Sequence, residues 1–199
     1  MEYKGVNTFY AKTRHDWRNW LATNGAEEKS VWLIIYKKSS ATISVTYLEA
    51  VEEALCFGWI DSKPNKRDQE SFYQFFAKRN PKSNWSKINK VSVAKLITSG
   101  AMRPEGLHVI EIARKSGAWT ALDSVDNLEI PIDLREALIQ NANAAANFEL
   151  FPKSVKKGIL EWIQNAVKQE TRSRRIDETV SLAGKNIRAN QYTPKKKEG

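Results

Sequence analysis

A run of apolar, β-branched and aromatic residues from Val31 to Lys37 is the feature that most constrains how this chain folds. The run shows little alternation between apolar and polar positions, which is typical of a strand buried on both faces of a sheet. Its part from Val31 to Tyr36 is the longest apolar run of the chain, and it is far too short to cross a bilayer. The run therefore predicts a central strand, around which the N-terminal half folds, and no membrane-spanning segment.

Capping signals place a helix on either side of this strand. Thr46 is followed three residues later by Glu49, which is a capping box, and the helix that it opens reaches about Cys56. Thr13 and Asp16 form a variant of the same box for an earlier helix. Three further segments have the composition of strands: Thr42 to Val45, Trp59 to Asp61 and Phe72 to Phe76.

The rest of the chain has helical signals. Ser83 or Ser86 can cap a helix, and Pro104 and Pro131 suit the first positions of later ones. We therefore predict an α+β fold, with a small mixed or antiparallel sheet and helices in the N-terminal half and a helical C-terminal half. The predicted divisions are an α+β unit with its following helices at residues 1–122, a helical region at 123–185 and a basic disordered tail at 186–199.

The few cysteines and histidines limit the possible chemistry. Cys56 is the only cysteine, which excludes a disulfide within the chain and a zinc site of four cysteines. It ends an apolar helix face, so we expect an inert buried thiol. His15 and His108 fall on different predicted helices, and His108 is expected to be partly buried and structural. We therefore expect no metal and no cofactor, and the absence of an apolar signal region at the N-terminus favours a cytoplasmic location.

Positive charge is unevenly distributed along the chain. The net charge is +9, yet Ser71 to Pro104 contains no carboxylate, whereas Ala121 to Leu150 is rich in Asp and Glu. Two interpretations remain open. The two segments are oppositely charged surfaces that dock within the monomer, or the basic one holds an anion-binding site.

The tract from Cys56 to Asn89 combines aromatic, acidic and basic residues in a pattern typical of a ligand pocket. Trp59 and Asp61 lie two apart on a predicted strand, so both project to the same face. A helix start near Ser83 favours an anion, and Arg79 can donate to it in a bidentate manner. We predict that the following residues bind a small anionic ligand: Trp59, Asp61, Arg79, Ser83, Trp85, Ser86 and Asn89.

The same residues have a purely structural interpretation with equal support. Asp61 and Arg79 would then form a partly buried ion pair that fixes the loop between the strand and the helix. The two serines would be helix caps and nothing more, while Trp59 and Trp85 would be core residues.

Two other functions compete with ligand binding. The first is nucleic-acid binding, for which the candidate contacts are Lys82, Lys87, Lys90, Arg172, Arg174, Arg175 and the tail lysines Lys195 to Lys197. The arginine cluster has a simpler interpretation as a solvated basic face, or as one that docks on the acidic segment from Asp123 to Glu149. The second is an enzyme with Asp61 or Glu53 as general base. The sequence identifies neither a substrate proton nor an oxyanion donor, so the catalytic residues are unknown and a binding protein is favoured.

Several long motifs resemble a known family. They are Glu53 to Asp61 (EALCFGWID), Pro81 to Asn89 (PKSNWSKIN), Gly100 to Leu107 (GAMRPEGL), Trp162 to Ala166 (WIQNA) and Glu170 to Ile176 (ETRSRRI). Together they resemble the YdeI/OmpD-associated proteins. The resemblance implies a role in resistance to bacteriocins or other antimicrobial peptides and a link to an envelope protein, and it implies no catalytic residues.

Overall fold

The computed structural model describes residues 1–191 of the chain. These residues belong to two compact units: unit 1 is Met1–Ala121, and unit 2 begins at Leu122. The lysines Lys195 to Lys197, predicted to lie in a disordered basic tail, fall outside the described residues.

Unit 1 contains a mixed five-stranded sheet. Its strands are β1 (Glu2–Tyr3), β2 (Val6–Tyr10), β3 (Ser30–Tyr36), β4 (Trp59–Lys66) and β5 (Ser71–Lys78), in the spatial order β1-β2-β3-β5-β4. Strands β2 and β3 are parallel, whereas the other neighbours are antiparallel. The predicted central strand is confirmed, because β3 lies between β2 and β5.

Helices make up the rest of the fold, which confirms the predicted α+β class with a helical C-terminal half. Unit 1 has α1 (Arg14–Asn24), α2 (Tyr47–Cys56), α3 (Lys87–Thr98) and α4 (Pro104–Ser116). Unit 2 has α5 (Asp123–Asp126), α6 (Ile132–Ile139), α7 (Ala142–Leu150), α8 (Lys153–Gln164) and α9 (Gln169–Gly184). Both predicted capping boxes are present, at Thr13 with Asp16 and at Thr46 with Glu49. Within residues 1–191, none of these helices has the length and apolarity needed to cross a membrane.

The strand predicted at Thr42 to Val45 is wrong, and two N-terminal strands were missed. The segment is irregular because its backbone bonds elsewhere: the Tyr10 hydroxyl donates to the Ile43 carbonyl, and the Val45 N–H donates to Ala11. The position beside β3 belongs instead to β2, whose β-branched and aromatic residues were the overlooked signal.

Alternate residues of β3 face opposite sides of the sheet. Val31, Leu33 and Ile35 join the core of unit 1, to which α1, α2, α3 and α4 contribute their buried apolar residues. Trp32 and Ile34 are also buried but lie outside that core, on the other face. Unit 2 has a separate core, formed by residues such as Leu134, Phe148, Ile159 and Ile163.

Helix α4 approaches the end of α2 so closely that only glycine fits at position 106. A Cβ atom at Gly106 would lie 2.3 Å from the carbonyl oxygen of Cys56, and the Arg103 N–H donates to that same carbonyl at 3.1 Å. Gly58, with a φ of 74°, lies beneath the same helix, where a Cβ would come within 2.9 Å of Val109. These contacts fix the first turns of α4 over the start of β4.

We expect Gly106→Ala to lower the free energy of unfolding by about 1–3 kcal/mol, because the added methyl forces two backbones apart. Gly158→Ala in α8 is the control, since the nearest atom to its Cβ is the Gln191 Nε2 at 3.8 Å. That change should raise the free energy of unfolding by up to about 1 kcal/mol. Urea unfolding measures both, and a Gly106→Ala variant as stable as the wild type would contradict the close packing.

Candidate functional site

Arg79, the first residue after β5, is a buried cation. Only 6% of its surface is exposed, and its guanidinium lies over the Trp85 ring, 3.8 Å from the centroid. Nη2 donates to the Asn84 carbonyl at 2.5 Å, whereas Nε and Nη1 have no hydrogen-bond partner among the described residues. Burial lowers the pKa of Arg79 to about 10, and the nearby Asp61 carboxylate opposes that shift.

Trp85 provides a rigid support for this cation. It is 2% exposed, and its ring packs against Trp119 with centroids 4.9 Å apart. Its backbone N–H donates to the Ala118 carbonyl at 3.3 Å, which ties the segment before α3 to the end of α4. The guanidinium of Arg79 is therefore held by buried aromatic packing.

A cavity of about 320 Å³ lies beside Arg79. It is lined by Leu21, Ala22, Gly25, Ala26, Phe57, Gly58, Trp59, Lys78, Arg79, Glu105, His108 and Val109. The end of α1 and residues 57–59 give it an apolar wall, and α4 contributes Glu105 and His108. The shape of the cavity depends on the close approach of α4 described above. It also depends on the backbone N–H of Arg79, which donates to the Gly58 carbonyl at 3.0 Å.

Asp61 lies near this cation but is not among the residues that line the cavity. Its carboxylate accepts a hydrogen bond from the Tyr47 hydroxyl at 2.7 Å. Burial and this carboxylate raise the pKa of Tyr47 to about 12. Within residues 1–191 Asp61 makes no hydrogen bond to Arg79, so the predicted pairing is reduced to an electrostatic influence.

The predicted site residues on the helix side have local structural roles. The Ser83 hydroxyl donates to the Asn80 carbonyl at 2.7 Å within a turn. Ser86 is the N-cap of α3 and accepts from the Asn89 N–H at 3.3 Å. None of these three residues lines the cavity. The structure therefore brings Trp59, Arg79 and Trp85 together, leaves Asp61 nearby, and uses Ser83, Ser86 and Asn89 as turn and cap.

Sequence reasoning missed several residues of the cavity. His108 was expected to be partly buried and structural, but it is exposed and lines the cavity with Glu105. The two lie three apart on α4 and so share a face, which was the available signal. Phe57 follows the last residue of α2 and Lys78 is the last residue of β5, and neither position gave a signal of its own.

Glu53, considered as a general base, is clamped by two arginines. It is 3% exposed, and its carboxylate oxygens accept from the Arg14 Nε at 2.5 Å and from the Arg18 Nη1 at 2.6 Å. The Arg18 guanidinium also lies over the Phe57 ring, 5.4 Å from its centroid. Cys56 beside it is buried, as expected, and burial raises the pKa of its thiol. This geometry is typical of a structural ion pair and an inert thiol.

The basic residues proposed for nucleic-acid binding divide into two sets. Arg172 makes a bidentate pair with Asp133, with Nε to Oδ2 at 2.6 Å and Nη2 to Oδ1 at 2.9 Å. Arg175 donates to the Trp162 carbonyl and lies over its ring. Arg172 therefore contacts the acidic segment from Asp123 to Glu149, whereas Arg175 contacts α8. Of the other residues, Arg174, Lys82 and Lys87 are exposed, and Lys90 is half-buried.

The fold and the cavity define unit 1 as an α+β domain with an open, mostly apolar cavity beside a buried cation. Residues 9–109, just over half of the chain, match the family described as Domain of unknown function (DUF8412), and the chain belongs to this family. Residues 127–186 match the family described as Bacteriocin-protection, YdeI or OmpD-Associated. The predicted resemblance is therefore confirmed for this C-terminal part, whereas the motifs from Glu53 to Leu107 fall within the first family. No curated protein and no solved structure matches the chain.

The pair between Arg172 and Asp133 should make unit 2 sensitive to acid. Arg172 holds the pKa of Asp133 below its usual range, so the stabilisation is present above about pH 4 and is lost as the pH falls through the lower, folded-state pKa. Arg172→Gln should cost about 0.5–1 kcal/mol at neutral pH, since the Asp133 side chain is 40% exposed and water screens the pair.

Urea unfolding of both proteins across the acid range measures this effect. Arg174→Gln, on the exposed side of the same helix, is the control and should behave as the wild type. An Arg172→Gln variant that loses stability in acid as steeply as the wild type would contradict the assignment.

Proposed function

We propose that unit 1 binds a small anionic ligand in the cavity beside Arg79, with Trp59 as part of its apolar wall. The observation that supports this most strongly is the buried guanidinium, which has two donors without a protein acceptor. A buried polar group without a partner is costly, and a buried cation more so. Both atoms are shielded from water in the structure, so the guanidinium would have to turn slightly toward the cavity to reach an anion there. That anion would then supply the missing acceptor and oppose the lowered pKa of Arg79.

The lining suggests the class of ligand. A volume of about 320 Å³ is within the range of small-molecule sites, and the walls are mostly apolar. Lys78 and His108 add hydrogen-bond donors to the lining, while the Glu105 carboxylate disfavours a second anionic group on the ligand. The ligand that fits best has an apolar or aromatic body and a single carboxylate or phosphate.

The wider role proposed for the chain is protection against bacteriocins or other antimicrobial peptides. Its support is the description of the family that residues 127–186 match. A link to an envelope protein stays a prediction that the family resemblance implies. A cytoplasmic location stays a separate prediction, made from the sequence. In this proposal unit 1 provides the ligand site, and the family's function is associated with unit 2.

The test compares a charged ligand with its neutral isostere. Indole-3-acetate should raise the melting temperature of the wild type, and indole-3-acetamide should not, because only the carboxylate satisfies Arg79. Arg79→Met should abolish the shift. Without ligand its free energy of unfolding should stay within about 1 kcal/mol of the wild type, since an apolar isostere removes a poorly paired buried charge.

Arg114→Met is the matched control. Arg114 also lies over a tryptophan, 5.2 Å from the Trp119 centroid, but it is exposed and does not line the cavity. This variant should keep the wild-type shift. Two results together would show that the proposal is wrong. The first is a loss of about 3 kcal/mol or more of stability in Arg79→Met, as when a buried ion pair is broken. The second is a wild-type melting temperature that benzoate, indole-3-acetate and phosphate all leave unchanged.

A further inference from the structure

The face of the sheet opposite the core of unit 1 carries a cluster of aromatic residues. Strand alternation and the register of β1, β2, β3 and β5 place them on this one side. We call it the aromatic face, and it consists of Tyr3, Tyr10, Trp32, Tyr36, Tyr73 and Phe75. The sequence pattern of no single strand reveals it, because the six residues come from four strands.

The rings of the aromatic face are packed against one another at stacking and edge distances. Tyr3 and Tyr73 stack with centroids 4.2 Å apart, and Trp32 meets Phe75 edge-on at 4.7 Å. Tyr10 and Tyr36 form a further edge contact at 5.7 Å. Trp32 is the most buried ring of the cluster, with 4% of its surface exposed, whereas the other five rings are half-buried or exposed.

The helices of unit 1 pack on the other side of the sheet and do not cover the aromatic face. Apart from Glu53 and Gly106, the buried residues of α1, α2, α3 and α4 belong to the core on the opposite side of the sheet, and Trp32 is not part of that core. Tyr10 remains 41% exposed, and Tyr3, Tyr36, Tyr73 and Phe75 are half-buried. A partly open aromatic surface of this kind is typical of an interaction site.

Cations border the aromatic face and indicate the charge of its partner. The Arg67 guanidinium lies 5.9 Å from the Tyr36 centroid and 6.0 Å from that of Tyr73, and it donates to the Tyr36 hydroxyl. Lys4 lies over Tyr3, on a tight turn that its φ of 53° defines. Apart from Asp61 and Lys78, which lie on the core side of the sheet, residues 1–10, 29–38 and 59–78 hold seven Lys and Arg against three Asp and Glu. One of these three, Asp68, pairs with Arg67.

We infer that the aromatic face binds single-stranded nucleic acid, with bases stacked on its rings and phosphates held by Lys4, Arg67 and neighbouring lysines. Every base offers a face for stacking, and a basic surface with interleaved aromatic residues is the usual platform for unpaired strands. A duplex keeps its bases stacked on one another and cannot use the rings. This surface is distinct from the cavity beside Arg79 and from the basic helices first considered for nucleic acid.

The test measures fluorescence anisotropy of labelled oligonucleotides with the full chain at low salt. Single-stranded RNA and DNA of one mixed sequence are compared with the matching duplex. The wild type should bind a single strand more tightly than the duplex. Tyr73→Leu and Tyr36→Leu keep an apolar side chain at each position but remove a ring, and each should weaken binding roughly tenfold. Lys4→Gln should reduce the slope of log K against log salt by about 0.7.

Trp162→Leu in unit 2 is the control for a lost aromatic ring and should bind as the wild type. Because the tail lysines Lys195 to Lys197 can attract a strand by charge alone, the tyrosine variants are decisive. Two variants on separate strands protect the test if one fails to fold, as judged by circular dichroism. The inference is overturned if no strand binds at low salt, if the folded tyrosine variants bind as tightly as the wild type, or if the duplex binds equally well. The ratio of the affinities for single-stranded RNA and DNA then shows which of the two the face prefers.

Discussion

The contact between Gly106 and the carbonyl of Cys56 determines where α4 lies, and the cavity of unit 1 depends on that position. With any side chain at residue 106 the helix would have to move outward, because a Cβ would come within 2.3 Å of the carbonyl oxygen. The same helix carries Glu105 and His108 to the rim of the cavity and Val109 over Gly58. A backbone contact of one glycine thus links the packing of two helices to the shape of a candidate site.

Arg79 gives that cavity its chemical character. Proteins rarely bury a cation without a carboxylate partner, because its desolvation costs more than neutral packing returns. Here Trp85 and one carbonyl compensate in part, and two donors stay without an acceptor among the described residues. The contrast with Glu53 is informative: its buried charge is fully paired by Arg14 and Arg18, as a structural ion pair should be. The difference between these two buried charges favours a binding role for Arg79.

The sequence predicted those parts of the fold that local signals determine. The apolar run of β3 and the boxes at Thr13 and Thr46 predicted one strand and two helices, since capping and periodicity act over a few residues. Strand β2 was missed because its place beside β3 depends on pairing across more than twenty residues. At the site, Trp59 and Arg79 were predicted to lie together, whereas Glu105 and His108 join them only through the long-range packing of α4.

The most direct test of the account follows the Arg79 side chain itself. The Nε–H resonance of Arg79 can be assigned in a nitrogen-correlated NMR spectrum by its absence from the Arg79→Met variant. Addition of indole-3-acetate should move this resonance downfield and slow its exchange with water, because a carboxylate then accepts the hydrogen bond. If the Arg79 resonance stays unchanged while the carboxylate binds elsewhere or does not bind, Arg79 is a structural residue and the central claim is contradicted.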